Sequence, residues 1–481
     1  MPKLLLVIAE AIAVAILACV AVSQFGWSDG ARITASFFIA YLVPRIILTR
    51  SRGFSVTAAF ILLAVAALCV SFDIMRMSLW VKYEEFSLAF PNIGGDGRNY
   101  FKYALAMNNG SRMSDMAYYP GFSAIIVALW KVFGVSVVWP LAMNLMFTLT
   151  VVVLTGLTTR RLLTGRVTMS AQALVAMGMG LCAILFHYLV IGTCMLKEGM
   201  IFGAIAMIGF GLSEMAAVDE ERHALWRDII LIVLAAVIIA VVRTSYIYFV
   251  MIGVVLMALP NWRRDWPLAL CIMALLAALL LAGRYLSLYS VERHADVVNG
   301  GWNMNRFYIN SAAQQPYKSL LGYYFLYSPI HRMFMLPLTI SAQFLLPLPW
   351  TNPLNTVYFS FFSRFTWGWY FVGGIASFYY AVISWRRHEN MGAWPWWPAL
   401  VFAAIAYVMG GSVVRYVLPI QPLFIPIAVY VLAHLRDRKW RKAFNIWVLL
   451  FVIFLIAALI ISFKLKQGFF NPWLPDPPIT E

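Results

Sequence analysis

A chain of 481 residues that is 63% hydrophobic and only 12% charged is not a soluble globular protein, in which about 25% of residues are charged. It reads as an all-α polytopic membrane protein, a single transmembrane domain over 1–481. Its net charge of +16 does not point to nucleic acid, because much of it sits in short loops between apolar segments, where the positive-inside rule expects Lys and Arg.

A membrane-spanning helix needs about 20 apolar residues, fewer if its ends snorkel, and on that rule the chain predicts about thirteen spans. They are 4–22, 33–48, 54–73, 137–157, 168–188, 199–214, 229–242, 245–259, 267–283, 367–384, 398–411, 416–434 and 444–462. The first could pass for a signal peptide, but Glu10 interrupts it and further spans follow at once. It is therefore expected to be retained, with Glu10 paired inside the bundle. The five cysteines, Cys19, Cys69, Cys182, Cys194 and Cys271, lie in or beside these runs. They form neither a disulfide framework nor a metal-binding spacing.

With these spans the arginine clusters fall on one side: Arg45, Arg50 and Arg52; Arg160, Arg161 and Arg166; Arg263 and Arg264; Arg386 and Arg387; and the 436–442 run. That side is assigned to the cytoplasm, with the N-terminus. The run 122–133 is expected to lie in the outer interface rather than to span, since counting it would move Arg160, Arg161 and Arg166 outside. Two large outer loops result, 74–136 and 284–366. The second ends in a stretch broken by Pro337, Pro347 and Pro349, better suited to a re-entrant or interfacial segment than to a straight span.

The polar stretch 91–119 stands out against this apolar background. It holds Asp96 between glycines, in GGDGRNYF. Asp96 suits a helix N-cap, and equally a general base at the membrane–water boundary. Lys197 and Glu198 sit at a tight outer turn, in GTCMLKEGMI, where adjacent charges at membrane depth are costly unless used or paired. Arg243 and Arg415 lie on the outer side, where cations are otherwise sparse. Either could simply snorkel, or offer bidentate donors to a phosphate. Arg293 and His294, in VERHAD, read first as solvated loop charge. With Arg98, Tyr100, Tyr119 and Tyr416 they complete the candidate substrate-binding residues. No HExxH, CxxC, P-loop or GxGxxG pattern occurs to suggest a zinc, redox or nucleotide site.

In order along the chain, four features resemble the integral-membrane GT-C glycosyltransferases. These are the acidic first outer loop with its Tyr-Pro juxtamembrane helix (YYPGFSAIIVALWKVFG), the Arg-rich inner turn TTRRLLTGR, the acidic second turn LKEGMI, and the late RYVLPIQP start of a helix. The resemblance implies transfer of a sugar from a polyprenyl-phosphate carrier to an envelope glycan, lipid or protein acceptor. It makes Asp96 the base and Glu198 the residue that places the acceptor or a divalent metal. Arg415, Lys197 and Arg243 would then hold the donor phosphate. Gly97 and Arg98 follow Asp96 where relatives often carry a second acidic residue, which leaves the metal open. A polysaccharide polymerase or O-antigen ligase, using a polyprenyl-pyrophosphate glycan, is the alternative. A lipid-linked sugar transporter is the third reading.

Overall fold

The computed structural model describes residues 2–83, 96–111, 120–216, 225–243, 246–285, 329–345, 366–384, 391–409 and 416–466. All described regular structure is helical. Seven of these helices are long and apolar enough to cross a membrane, fewer than the thirteen spans expected. Several remaining spans appear as shorter or broken apolar helices.

The chain opens with three long helices, α1 (Pro2–Phe25), α2 (Trp27–Arg50) and α3 (Val56–Tyr83). The α1–α2 hairpin is tied near its open end. Arg45 Nε lies 2.6 Å from Glu10 Oε1, and the Tyr41 hydroxyl donates to the same oxygen at 2.5 Å. Glu10 is thus paired within the bundle, as its place in an apolar helix requires. Two short helices follow, α4 (Asp96–Asn108) and α5 (Pro120–Phe133). In α5, Phe122, Ile126 and Trp130 are buried while Val132 and Phe133 are exposed, so one stripe packs inward.

The centre is built by α6 (Val138–Leu163) and α9 (Glu198–Ala216), whose apolar windows are 83% and 89% buried. Between them, the single span expected over 168–188 is two helices, α7 (Ala171–Ala183) and α8 (Phe186–Thr193). No proline or glycine marks the break. A later helix enters there: a Cβ on Gly368 would lie 1.8 Å from the Ile184 carbonyl oxygen. Only a glycine backbone can press so closely against the interrupted turn.

α10 (Leu225–Arg243), α11 (Tyr246–Ala258) and α12 (Trp262–Tyr285) continue the bundle. The expected interfacial segment of the second loop shows two short helices, α13 (Pro329–Phe334) and α14 (Leu336–Leu345). Then come α15 (Trp367–Phe378), α16 (Trp396–Met409), a 3-10 segment (Leu418–Phe424), α17 (Ile425–His434) and α18 (Arg438–Lys466). The 3-10 turn is set by Pro419 and Pro422, which cannot donate to an α-helical ladder. Two carbonyls at and beside this segment accept from side chains. Tyr246 Oη donates to Tyr416 O at 3.0 Å, and Trp394 Nε1 to Leu423 O at 3.2 Å.

The outer helices keep apolar faces open. Leu4, Leu5, Ile8, Ile12 and Ile16 on α1, and Ile446, Leu449, Ile453 and Ile456 on α18, are all exposed. Patches of that size in water would aggregate; against lipid they need no cover.

At one end of the core, Arg161 of α6 is clamped between two carboxylates. Its Nε lies 3.0 Å from Glu214 of α9, and its Nη1 lies 3.2 Å from Asp228 of α10. Its guanidinium also covers the Phe210 ring at 3.9 Å. Glu198 opens the same α9. At about 1.5 Å per residue, Glu198 and Glu214 are about 24 Å apart along the helix, comparable to the thickness of a bilayer's apolar core. The fold therefore carries one charged cluster at each end of α9.

Candidate functional site

The second cluster forms around the turn that joins α8 to α9. This turn is tight: the Leu196 amide donates back to Cys194 O at 2.7 Å. Gly199 lets it close on α8, since a Cβ there would lie 2.2 Å from Gly192 O. Asn144 of α6 reaches into it, donating from Nδ2 to the carbonyls of Cys194 and Leu196, the latter at 2.8 Å. Lys197 and Glu198 follow, and both are buried, at 4% and 2% exposure.

Lys197 and Tyr100 meet across the α8–α9 turn and α4. The ammonium nitrogen lies 5.7 Å from the ring centroid, a cation–π contact. Tyr100 is itself fixed by α5. Its ring packs edge-on against Phe122 at 5.2 Å, and its carbonyl accepts from Ser123 Oγ at 3.0 Å. α5 is in turn pressed against the end of α10, where a Cβ on Gly121 would lie 2.0 Å from Val241 O.

Two residues beyond Val241, Arg243 ends α10. Its guanidinium carbon lies 4.0 Å over the Tyr416 ring and 5.6 Å from that of Tyr246. Glu198 is near enough to act on it electrostatically. Arg243 and Tyr416 are half-buried, so part of this face stays open. Two cations and one carboxylate are thus gathered among three tyrosines from α4, α9, α10, α11 and the approach to the 3-10 segment. The balance among these described residues is positive, which suits an anion carrying an apolar or sugar-like group.

No known protein family, curated protein or solved structure matches this chain. Its function has to be read from the chemistry of this site.

The structure brings together five of the residues singled out in the sequence: Tyr100, Lys197, Glu198, Arg243 and Tyr416. Asp96 is the first residue of α4, one turn before Tyr100; its side chain, like that of Arg98, lies outside the described residues. Tyr119, Arg293, His294 and Arg415 also lie outside them.

Among the described residues, no three His, Cys, Asp or Glu side chains gather as a metal-binding set. A divalent cation at Glu198 would also meet Lys197 and Arg243, which repel it. The described residues do not fit a metal.

Sequence reasoning missed Asn144 and Tyr246. Asn144 is legible in hindsight as an amide inside an apolar span, where such side chains bond across helices. Tyr246 had no signal of its own.

Proposed function

We propose that the chain is a multi-pass glycosyltransferase of the inner (plasma) membrane. It moves a sugar from a polyprenyl-phosphate carrier to an envelope acceptor on the outer face. The thirteen-span topology, with both large loops outside, belongs to this proposal. The observation that carries it is the convergence of Lys197, Glu198, Arg243 and Tyr416, from distant parts of the sequence, at one end of the core helices. The opposite end holds the arginine-rich turn with Arg161. A membrane protein that only spanned the bilayer would have no use for buried charges at the α8–α9 turn.

The chemistry is a single displacement. The acceptor hydroxyl oxygen attacks the anomeric carbon, and the bond from that carbon to the phosphate oxygen breaks. The hydroxyl proton passes to the Asp96 carboxylate as general base. The electron pair leaves with the phosphate, whose growing charge Arg243, Lys197 and Arg415 stabilise. Glu198 orients the acceptor, and Tyr100 and Tyr416 offer faces on which a sugar packs. Backside attack inverts the anomeric centre.

The test offers purified protein polyprenyl-phosphate-linked and polyprenyl-pyrophosphate-linked sugars. Asp96→Asn, Glu198→Gln and Arg243→Met are assayed alongside. Release of polyprenyl phosphate by the wild type and its loss in Asp96→Asn are expected. Turnover of the pyrophosphate donor alone would move the chain to the polymerases and ligases. Engagement of neither donor would overturn the proposal in favour of transport.

A further inference from the structure

The Lys197–Glu198 turn does not hold its own shape. Its internal hydrogen bond, from the Leu196 amide to Cys194 O, closes a three-residue turn, a short and bent arrangement that contributes little alone. The carbonyl of Leu196 gains no helical partner from the turn itself. Both carbonyls are instead held by Asn144, from a helix far earlier in the chain. Asn144 is completely buried. Its Oδ1 lies where a Cβ on Gly199 would come within 2.9 Å, so it also braces the residue after Glu198. One amide thus grips the backbone just before the two charged residues and packs against the residue just after them. Leu or Met would fill this apolar position more favourably, since burying an amide costs free energy unless its bonds are made. What Asn supplies and an apolar side chain does not is the pair of donors.

We infer that Asn144 is a positioning residue, holding the α8–α9 turn so that Lys197 and Glu198 face Tyr100 and Arg243. The inference rests on the reading of that turn as reactive, but half of its test needs no donor or acceptor. Cys194 lies within the gripped turn, 4% exposed, with its thiol 3.3 Å from Val190 O. Cys182 and Cys69 are fully buried elsewhere in the core, and they report general loosening.

The experiment measures thiol labelling of each cysteine by peptide mass spectrometry, in full-length protein in nanodiscs. It compares wild type with Asn144→Asp and Asn144→Leu. Asn144→Asp keeps the size of the side chain but can offer at most one donor, and so cannot hold both carbonyls. Labelling of Cys194 should rise at least tenfold in both variants, with Cys182 and Cys69 unchanged. An unchanged Cys194, or an equal rise at all three, overturns the inference, because Asn144 would then be a packing residue only.

With transfer activity in hand, Asn144→Asp should lower kcat at least tenfold. Added to Glu198→Gln it should lower it no further, because residues acting as one unit are not additive. Additive losses would overturn the positioning role. Absence of transfer in the wild type would count against the proposed function alone and leave the cysteine result to decide.

Discussion

The guanidinium of Arg243 lies 4.0 Å above the ring of Tyr416, although Arg243 ends α10 and Tyr416 lies just before the 3-10 segment, far away in sequence. Tyr246, three residues beyond Arg243, holds the Tyr416 backbone in place through its hydroxyl. The cation is therefore fixed in direction before any ligand arrives. A half-buried contact of this kind is worth about 1 kcal/mol.

Arg243→Lys keeps the charge but loses the flat stacking face and the fork of donors. On the proposed function, affinity for the polyprenyl-phosphate donor should fall at least tenfold. Tyr416→Leu should match it, and Tyr416→Phe, which keeps the ring, should fall by about threefold. Titration of a fluorescent polyprenyl-phosphate analogue measures all three. Equal affinity in wild type and Tyr416→Leu would show that the ring plays no part.

Gly121 seats α5 against the end of α10. In Gly121→Ala the new methyl meets the Val241 carbonyl, which is backbone and cannot rotate away. Overpacking of this kind costs about 1–3 kcal/mol, and here it pushes on the helix end that carries Arg243. Thermal unfolding should begin several degrees lower, and on the proposed function donor binding should weaken. Gly180→Ala is the control. Its nearest neighbour would be 3.9 Å away, and Ala is the better helix former by about 1 kcal/mol. It should be neutral or slightly stabilising.

Glu10 and Arg45 are both largely buried, so removing one leaves the other uncompensated. Arg45→Met should cost about 3 kcal/mol, the range for breaking a buried pair. Glu10→Gln with Arg45→Met should recover most of that loss. Unfolding monitored by tryptophan fluorescence in detergent tests the pair, and a double variant no better than Arg45→Met would show that the ion pair is not the cause.

Arg160 and Arg161 are neighbours with different surroundings. Arg161 separates Glu214 from Asp228, and Arg161→Met would leave two carboxylates facing each other. That variant should be expressed at a small fraction of the wild-type level, while Arg160→Met should be near normal. Fluorescence-detected size exclusion compares them directly, and similar profiles would mean that the clamp does not hold α6, α9 and α10 together.

Much of the bundle is local information. The apolar runs that became α1, α2, α3, α6 and α9 announce themselves by length and hydropathy, because a helix crossing lipid must satisfy its backbone within itself. Lys197, Glu198 and Arg243 were legible as candidates for a related reason, since charge at membrane depth is costly enough to be noticed. The break between α7 and α8 was not legible. It depends on where Gly368 docks, and nothing near Ile184 in the sequence records that.

By itself, the sequence determined that this is a helical membrane protein, where most long helices run, and which charged residues needed an explanation. Those properties follow from each residue's own transfer energy and the short reach of helical hydrogen bonds. Only the tertiary structure decided that Lys197 meets Tyr100, that Arg243 stacks on Tyr416, and that Asn144 grips the turn between α8 and α9. Those partnerships depend on how closely helices approach, which glycines such as Gly121 and Gly199 set through the absence of a side chain.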